Sequence, residues 1–160
     1  MNESRSAEMT NTPRDPDYEE RVRASFARQA AMSTIGATLM EVTPGEVTLE
    51  LPFRPDLTQQ HGFLHAGIVT SVMDSACGYA ALSLMEPGAG VLSVEFKVNL
   101  LAPARGKLFR AVGRVVRAGR NVTVVSGELR VDADADNSGA LVAIMTGTMM
   151  TVRDRPGLLD

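Results

Sequence analysis

Ala66-Gly-Ile-Val-Thr-Ser-Val-Met-Asp74-Ser-Ala-Cys-Gly-Tyr-Ala-Ala-Leu-Ser-Leu84 runs for nineteen residues with one charge, Asp74, inside a longer stretch from Leu57 to Met85 that has no Lys or Arg. At about 1.5 Å per residue such a helix is close to 30 Å long, a length that a membrane span also needs. The mid-segment carboxylate, the hydroxyls Thr70, Ser71, Ser75 and Ser83, and the many small side chains predict instead a helix wrapped by protein. Small residues let a sheet or a second helix come close to its backbone.

On either side the chain reads as one ordinary domain. It has 160 residues, 44% apolar and 22% charged, with a net charge of −3, so disorder and disulfide-scaffold classes are excluded. The 16 basic residues are spread along the chain, and no basic stripe marks a nucleic-acid partner. One cysteine, Cys77, makes neither an internal disulfide nor a multi-cysteine metal site, which fits a reducing cytoplasm. The N-terminus, with Glu3 and Glu8 and no apolar run, is not a signal peptide. Residues 1–14 read as a disordered leader, 15–153 as a single domain and 154–160 as a tail.

Asp15 as a cap, Pro16 and the acidic Asp17, Glu19 and Glu20 predict an N-terminal helix running to about Met32, its apolar stripe being Tyr18, Val22, Phe26 and Ala30. A hairpin through Pro44-Gly45 joins strands Ala37 to Thr43 and Glu46 to Phe53. After the central helix, Glu86-Pro-Gly-Ala-Gly90 is a break, and four strands follow as a β-meander: Val91 to Leu101, Lys107 to Ala118, Asn121 to Asp132 and Ala140 to Arg153. Strict alternation sets Val94, Phe96, Val98 and Leu100 on one covered face, with Glu95, Lys97 and Asn99 on the other. One long apolar helix with an antiparallel sheet curved round it is an α+β layout.

Asp74 is the leading candidate for chemistry. A carboxylate among Val72, Met73, Ala76 and Cys77 is costly to desolvate, and no cation lies within a helical turn of it. It is either a functional group or a structural one that accepts hydrogen bonds from Thr70, Ser71 or a neighbouring strand. His65 stands at the helix start, as a site residue or simply a cap. The N–H groups of Ala66 and Gly67, at the positive end of the helix dipole, suit an oxyanion, and Gly67 leaves room for a ligand to approach the backbone. His61 reads as an ordinary loop residue. Ala66 and Asp74 are separated by about 12 Å of helix rise, so one carbonyl cannot meet both on one chain. If both act, Asp74 comes from a second copy, in a symmetric dimer with antiparallel helices.

Other chemistries fit poorly. Ser75 and Ser83 have no His-Asp partners at a recognisable spacing, and no G-x-S-x-G or P-loop is present. Cys77 in apolar surroundings should remain a thiol, and two histidines with one cysteine do not suggest zinc. The Asp132, Asp134, Asp136 run lacks the glutamate that closes a calcium loop and reads as a solvated turn.

The order Gly62-Phe-Leu-His65-Ala-Gly67, six residues, Asp74, then Ser93-Val-Glu-Phe-Lys-Val-Asn-Leu-Leu-Ala-Pro-Ala-Arg-Gly106 and Arg117-Ala-Gly-Arg120 resembles the PaaI-like hotdog-fold acyl-CoA thioesterases over roughly residues 35 to 151. The resemblance implies a helix gripped by an antiparallel sheet, a homodimer with a continuous sheet, and often a dimer of dimers. It implies Asp74 as general base or nucleophile, the Ala66 N–H as oxyanion donor, and His65 as the motif histidine. Gln59, with Gln60 beside it, stands where many members have asparagine, and Ser93 supplies a water-positioning hydroxyl. The usual His-Gly-Gly is here His65-Ala66-Gly67. Arg117 and Arg120 are candidates for the phosphates of coenzyme A, and Gly67, Leu92, Gly119 and Asn121 are counted with them. The substrate is then an acyl-CoA, with no cofactor beyond the coenzyme A it carries, no metal, no nucleic acid and no membrane. A non-catalytic acyl-CoA binder on the same scaffold is the alternative. A hydratase would need Asp and His working together, whereas His65 and Asp74 lie 2.5 turns apart on opposite faces.

Overall fold

In the computed structural model, residues 11–132, 139–158 and 160 are described. The proposed leader up to residue 10 and the Asp134 and Asp136 positions of the acidic loop lie outside them. The elements are α1 (Tyr18–Ala27), α2 (Ala30–Ile35), β1 (Thr38–Thr43), β2 (Glu46–Pro52), a short 3₁₀ turn at Pro55–Leu57, α3 (Ala66–Leu82), β3 (Gly90–Leu100), β4 (Leu108–Ala118), β5 (Val122–Val131) and β6 (Leu141–Val152). The six strands form one antiparallel sheet in the order β1-β2-β4-β5-β6-β3, and α3 lies along its inner face.

Alternation explains the core. Val47, Leu49 and Leu51 of β2, Phe109 and Ala111 of β4, Val125 and Leu129 of β5, and Ala143, Met145 and Met149 of β6 point inward, where they meet Val69, Val72, Met73, Ala76 and Ala80 of α3. The small residues of α3 have the expected consequence. A Cβ on Gly113 of β4 would lie 2.3 Å from the Ala76 carbonyl carbon, so only glycine admits the helix this close to the sheet. On the outer face, cross-strand pairs such as Arg110–Glu50 and Arg114–Glu46 take the polar positions.

Two expectations change. The four later strands are not a simple meander, because β3 pairs with β6 at the sheet edge while β4 pairs with β2. The seven residues Leu101 to Lys107 are too long for a tight hairpin. They span the roughly 14 Å between strands three places apart and cross the sheet end near the start of α3, where the Ala104 carbonyl accepts the Leu64 N–H at 3.2 Å. The N-terminal helix is also broken. Gln29 leaves the helical region at ψ 89°, α2 turns to bury Met32 and Ile35, and Ala30, placed in the apolar stripe, is exposed.

Polar anchors hold the ends of α3. The Arg21 guanidinium donates to the carbonyls of Leu82 (3.0 Å), Met85 (2.8 Å) and Glu86, and so ties α1 to the chain that leaves the C-terminus of α3. Buried Ser83 accepts the Gly45 N–H at 2.8 Å and so pins the first hairpin to the helix. Residues 11–14, grouped with the leader in the sequence, lie on the domain: Arg14 pairs with Glu86 at 3.1 Å. The tail also folds back, and the Leu158 carbonyl packs on Gly90 so closely that a Cβ there would lie 2.0 Å from it.

Candidate active site

The start of α3 shows why this sequence leaves one donor open. His65 is the N-cap, with its Nδ1 accepting the Gly67 N–H at 2.9 Å, while its carbonyl accepts from Ile68 (2.9 Å) and Val69 (3.2 Å). Among the described residues, the Ala66 N–H alone of the first four has no protein acceptor. The cap reading of His65 is therefore the one the geometry supports, and in accepting at Nδ1 the neutral ring carries its proton on Nε2. Gly67 is exposed, and a Cβ there would lie 3.1 Å from His65 Nδ1, so glycine also leaves room for the imidazole to reach its N–H.

Asp74 is half-buried on the stripe of α3 that the sheet does not cover, together with Gly67, Ser71 and Gly78. Its partner comes from the neighbouring strand: Ser93 Oγ donates to Asp74 Oδ1 at 2.7 Å. Thr70 and Ser71 do not contribute, because their hydroxyls bond the carbonyls of Ala66 (2.8 Å) and Gly67 (2.7 Å) one turn back. Ser93 reaches the carboxylate because β3 is irregular. A bulge between Ser93 and Glu95 sets Ser93, opposite Met149, on the same side as Phe96, opposite Gly147. The strict alternation from Val94 onward thus begins one residue late, and Val94 is the extra residue. Nor is β3 covered on one face within the chain: Val94 is 57% and Phe96 43% exposed.

A cavity of about 450 Å³ adjoins Ala66, lined by Phe63, Leu64, Val69, Pro103 and Val142, with Gln59 at its edge. Gln59 holds the preceding turn, its side-chain oxygen accepting the His61 N–H. Gln60 is exposed and turned towards His61 at 3.3 Å, away from that lining. A second, smaller recess of about 140 Å³ opens at Asp74 and Ser93. It is walled by Ser25, Gln29, Tyr79 and Asp160, none of which the sequence singled out. Gln29 reaches it only because the N-terminal helix breaks there, and Asp160 only because the tail folds back.

Cys77 is buried and its thiol is pushed up to about 12, chiefly by burial and further by the Asp74 charge, so it is no nucleophile at neutral pH. The Arg117-to-Asn121 turn is not brought to this chain's own Ala66. Ala118 and Gly119 adjoin Ala81, Leu84 and Met85 at the opposite end of α3. The Asn121 side chain accepts from Arg153 at 2.9 Å, and Arg117 and Arg120 are exposed. Leu92 is exposed on β3, on the opposite side from Ser93.

Comparison with known proteins supports the architecture. Residues 61–136 match the thioesterase superfamily. A crystal structure of a thioesterase family protein from Silicibacter pomeroyi is 50% identical, covers 86% of this chain and 99% of its own, and superposes with a TM-score of 0.82. Human acyl-coenzyme A thioesterase 13 is 28% identical over 66% of this chain and 73% of its own length. The Escherichia coli PaaI protein of the phenylacetic acid degradation operon, 18% identical over 85% of this chain and 94% of its own, shares the fold with a TM-score of 0.75. The chain therefore belongs to the thioesterase superfamily and carries its hotdog fold, which makes thioester hydrolysis the reaction to fit to the site.

Proposed function

We infer that this protein hydrolyses an acyl-CoA to the free acid and coenzyme A at a site shared by two copies of the chain. The observation that carries the reading is the pairing of an open Ala66 N–H at the helix start with an Asp74–Ser93 couple two turns further on, on an uncovered helix face. The thioester carbonyl accepts from Ala66 of one copy, where the helix dipole and the N–H stabilise the developing oxyanion. Asp74 of the other copy, held by Ser93, takes a proton from water as it attacks, or attacks directly. His65 and Gly67 position the oxyanion donor, and Gln59 shapes the wall beside it.

Two features support a homodimer. The edge strand β3 is eleven residues long and exposes Val94, Phe96 and Leu100, an edge that a soluble protein covers. The uncovered stripe of α3 is built of glycine and serine around Asp74, so a second helix can approach it closely. In such a pair the Arg117 and Arg120 turn of one copy is free to meet coenzyme A phosphates held at the other. Purified protein should release thiol from acyl-CoAs, and Asp74→Asn should abolish release while keeping the fold. Tight acyl-CoA binding without turnover by the wild type would replace this reading with that of a binding protein.

A further inference from the structure

The thioesterase reading, on which this inference rests, puts the thioester carbonyl oxygen on the Ala66 N–H. Two arms leave the carbonyl carbon, the acyl chain and the amide-bearing arm of coenzyme A, and the walls beside Ala66 suit only one of them. Of the eleven described residues that line the cavity of about 450 Å³ there, Gln59 alone carries a polar side-chain group, and its oxygen already accepts the His61 N–H. Leu64, Val69 and Val142 are the buried apolar part of the lining, Phe63 is half-buried, and Leu100 and Leu101 are exposed at the mouth. Backbone groups of the wall bond to one another. The Leu101 and Ala102 N–H groups donate to the Val142 carbonyl at 2.8 and 3.2 Å, Leu64 donates to Ala104 at 3.2 Å, and Gln59 donates to Phe63 at 2.9 Å.

We propose that the cavity beside Ala66 seats the acyl group, and that the protein favours acyl-CoAs with an unsubstituted hydrocarbon chain of about eight carbons or more over short ones. The volume is about three times the roughly 150 Å³ that holds a benzene ring, so an eight-carbon chain fits whole, and a longer one continues out past the open mouth. Transfer free energy decides between the arms. Each methylene buried there is worth about fourfold in binding. An amide of the coenzyme A arm would instead lose its water against walls that offer one side-chain amide in return, a loss of about tenfold or more for each unpaired group. The recess at Asp74 is the contrasting case. Its walls include Ser25, Gln29, Ser93 and Asp160, and it adjoins a cavity of about 260 Å³ bordered by Arg28, so a hydrocarbon chain there would strip water from polar groups without replacing its hydrogen bonds.

The test measures kcat/KM for butanoyl-, hexanoyl- and octanoyl-CoA in the wild type, in Val142→Thr and in Leu101→Gln, each of which puts a polar group into the lining. In the wild type kcat/KM should rise by about two- to fourfold for each added methylene. The octanoyl-to-butanoyl ratio should fall by about threefold or more in a folded variant, because the added polar group is desolvated by the long chain and not by the short one. Val142 is buried and Leu101 exposed, so if Val142→Thr does not fold, Leu101→Gln supplies the result. A flat chain-length profile in the wild type would overturn the assignment and leave the thioesterase reading standing. So would a loss that is equal for all three substrates, which is the mark of a cavity holding the coenzyme A arm, or a ratio unchanged in every folded variant. No turnover of any thioester by the wild type would overturn both.

Discussion

Asp74 and His65 were both legible as site candidates, yet the physics of their surroundings gives them different work. Asp74 has one strong side-chain donor and an uncovered face in front of it. Asp74→Asn should lower kcat by about 10²–10⁴-fold, the range for loss of a general base, with an unchanged melting temperature. His65 is spent on the helix cap, so His65→Ala should cost about 1 kcal/mol in a denaturant titration and reduce kcat through a loosened Ala66 N–H, with KM less affected. A direct proton-transfer role for His65 would instead flatten one limb of the pH–rate profile in that variant. Spacing in the sequence located Asp74, His65 and Ala66 because all three belong to one helix. Ser93 came only with the family resemblance, since its approach depends on a bulge that no local pattern announces. Gln29 and Asp160 carried no signal, because a helix break and a returning tail bring them in.

At the level of elements, the central helix and strands were readable to within two residues of their ends, from one uncharged run and from period-two alternation. What the sequence did not disclose was pairing. Whether β3 lies beside β4 or beside β6 depends on how the chain from Leu101 to Lys107 crosses the helix start, and that crossing is a tertiary property. The sheet and helix meet through glycine at Gly113. Gly113→Val should therefore force them apart and cost about 3 kcal/mol, seen as a lowered melting temperature, because its Cβ collides with helix backbone and not with a movable side chain. Arg21→Met should also lower the melting temperature, since it removes the guanidinium that bonds the carbonyls of Leu82, Met85 and Glu86 at and just beyond the end of α3.

For the whole molecule, charge and assembly make separate demands. Glu86 joins the N-terminal segment to the last strand through Arg14 and Arg153, and its carboxyl is pushed down to about 2, first by the Arg153 hydrogen bond. A carboxyl lowered by folding adds stability that is complete above its ordinary value of 4.5 and disappears as pH falls towards 2. Thermal melts should show Glu86→Gln less stable than wild type at pH 7, with the difference closing across that window. The proposed assembly rests on Ala66 and Asp74, too far apart on one helix to share a carbonyl, and on an exposed apolar edge at β3. Ala66→Pro removes the N–H at a helix position that accepts proline, and Asp74→Asn removes the proposed base or nucleophile. Each variant alone should be inactive. When the two are co-expressed, mixed dimers hold one complete site and one doubly defective site, so statistical pairing should restore about a quarter of wild-type kcat per chain. Thiol release at that level would be the expected result, and an inactive mixture in which mixed dimers are shown to form would contradict a site shared between two chains.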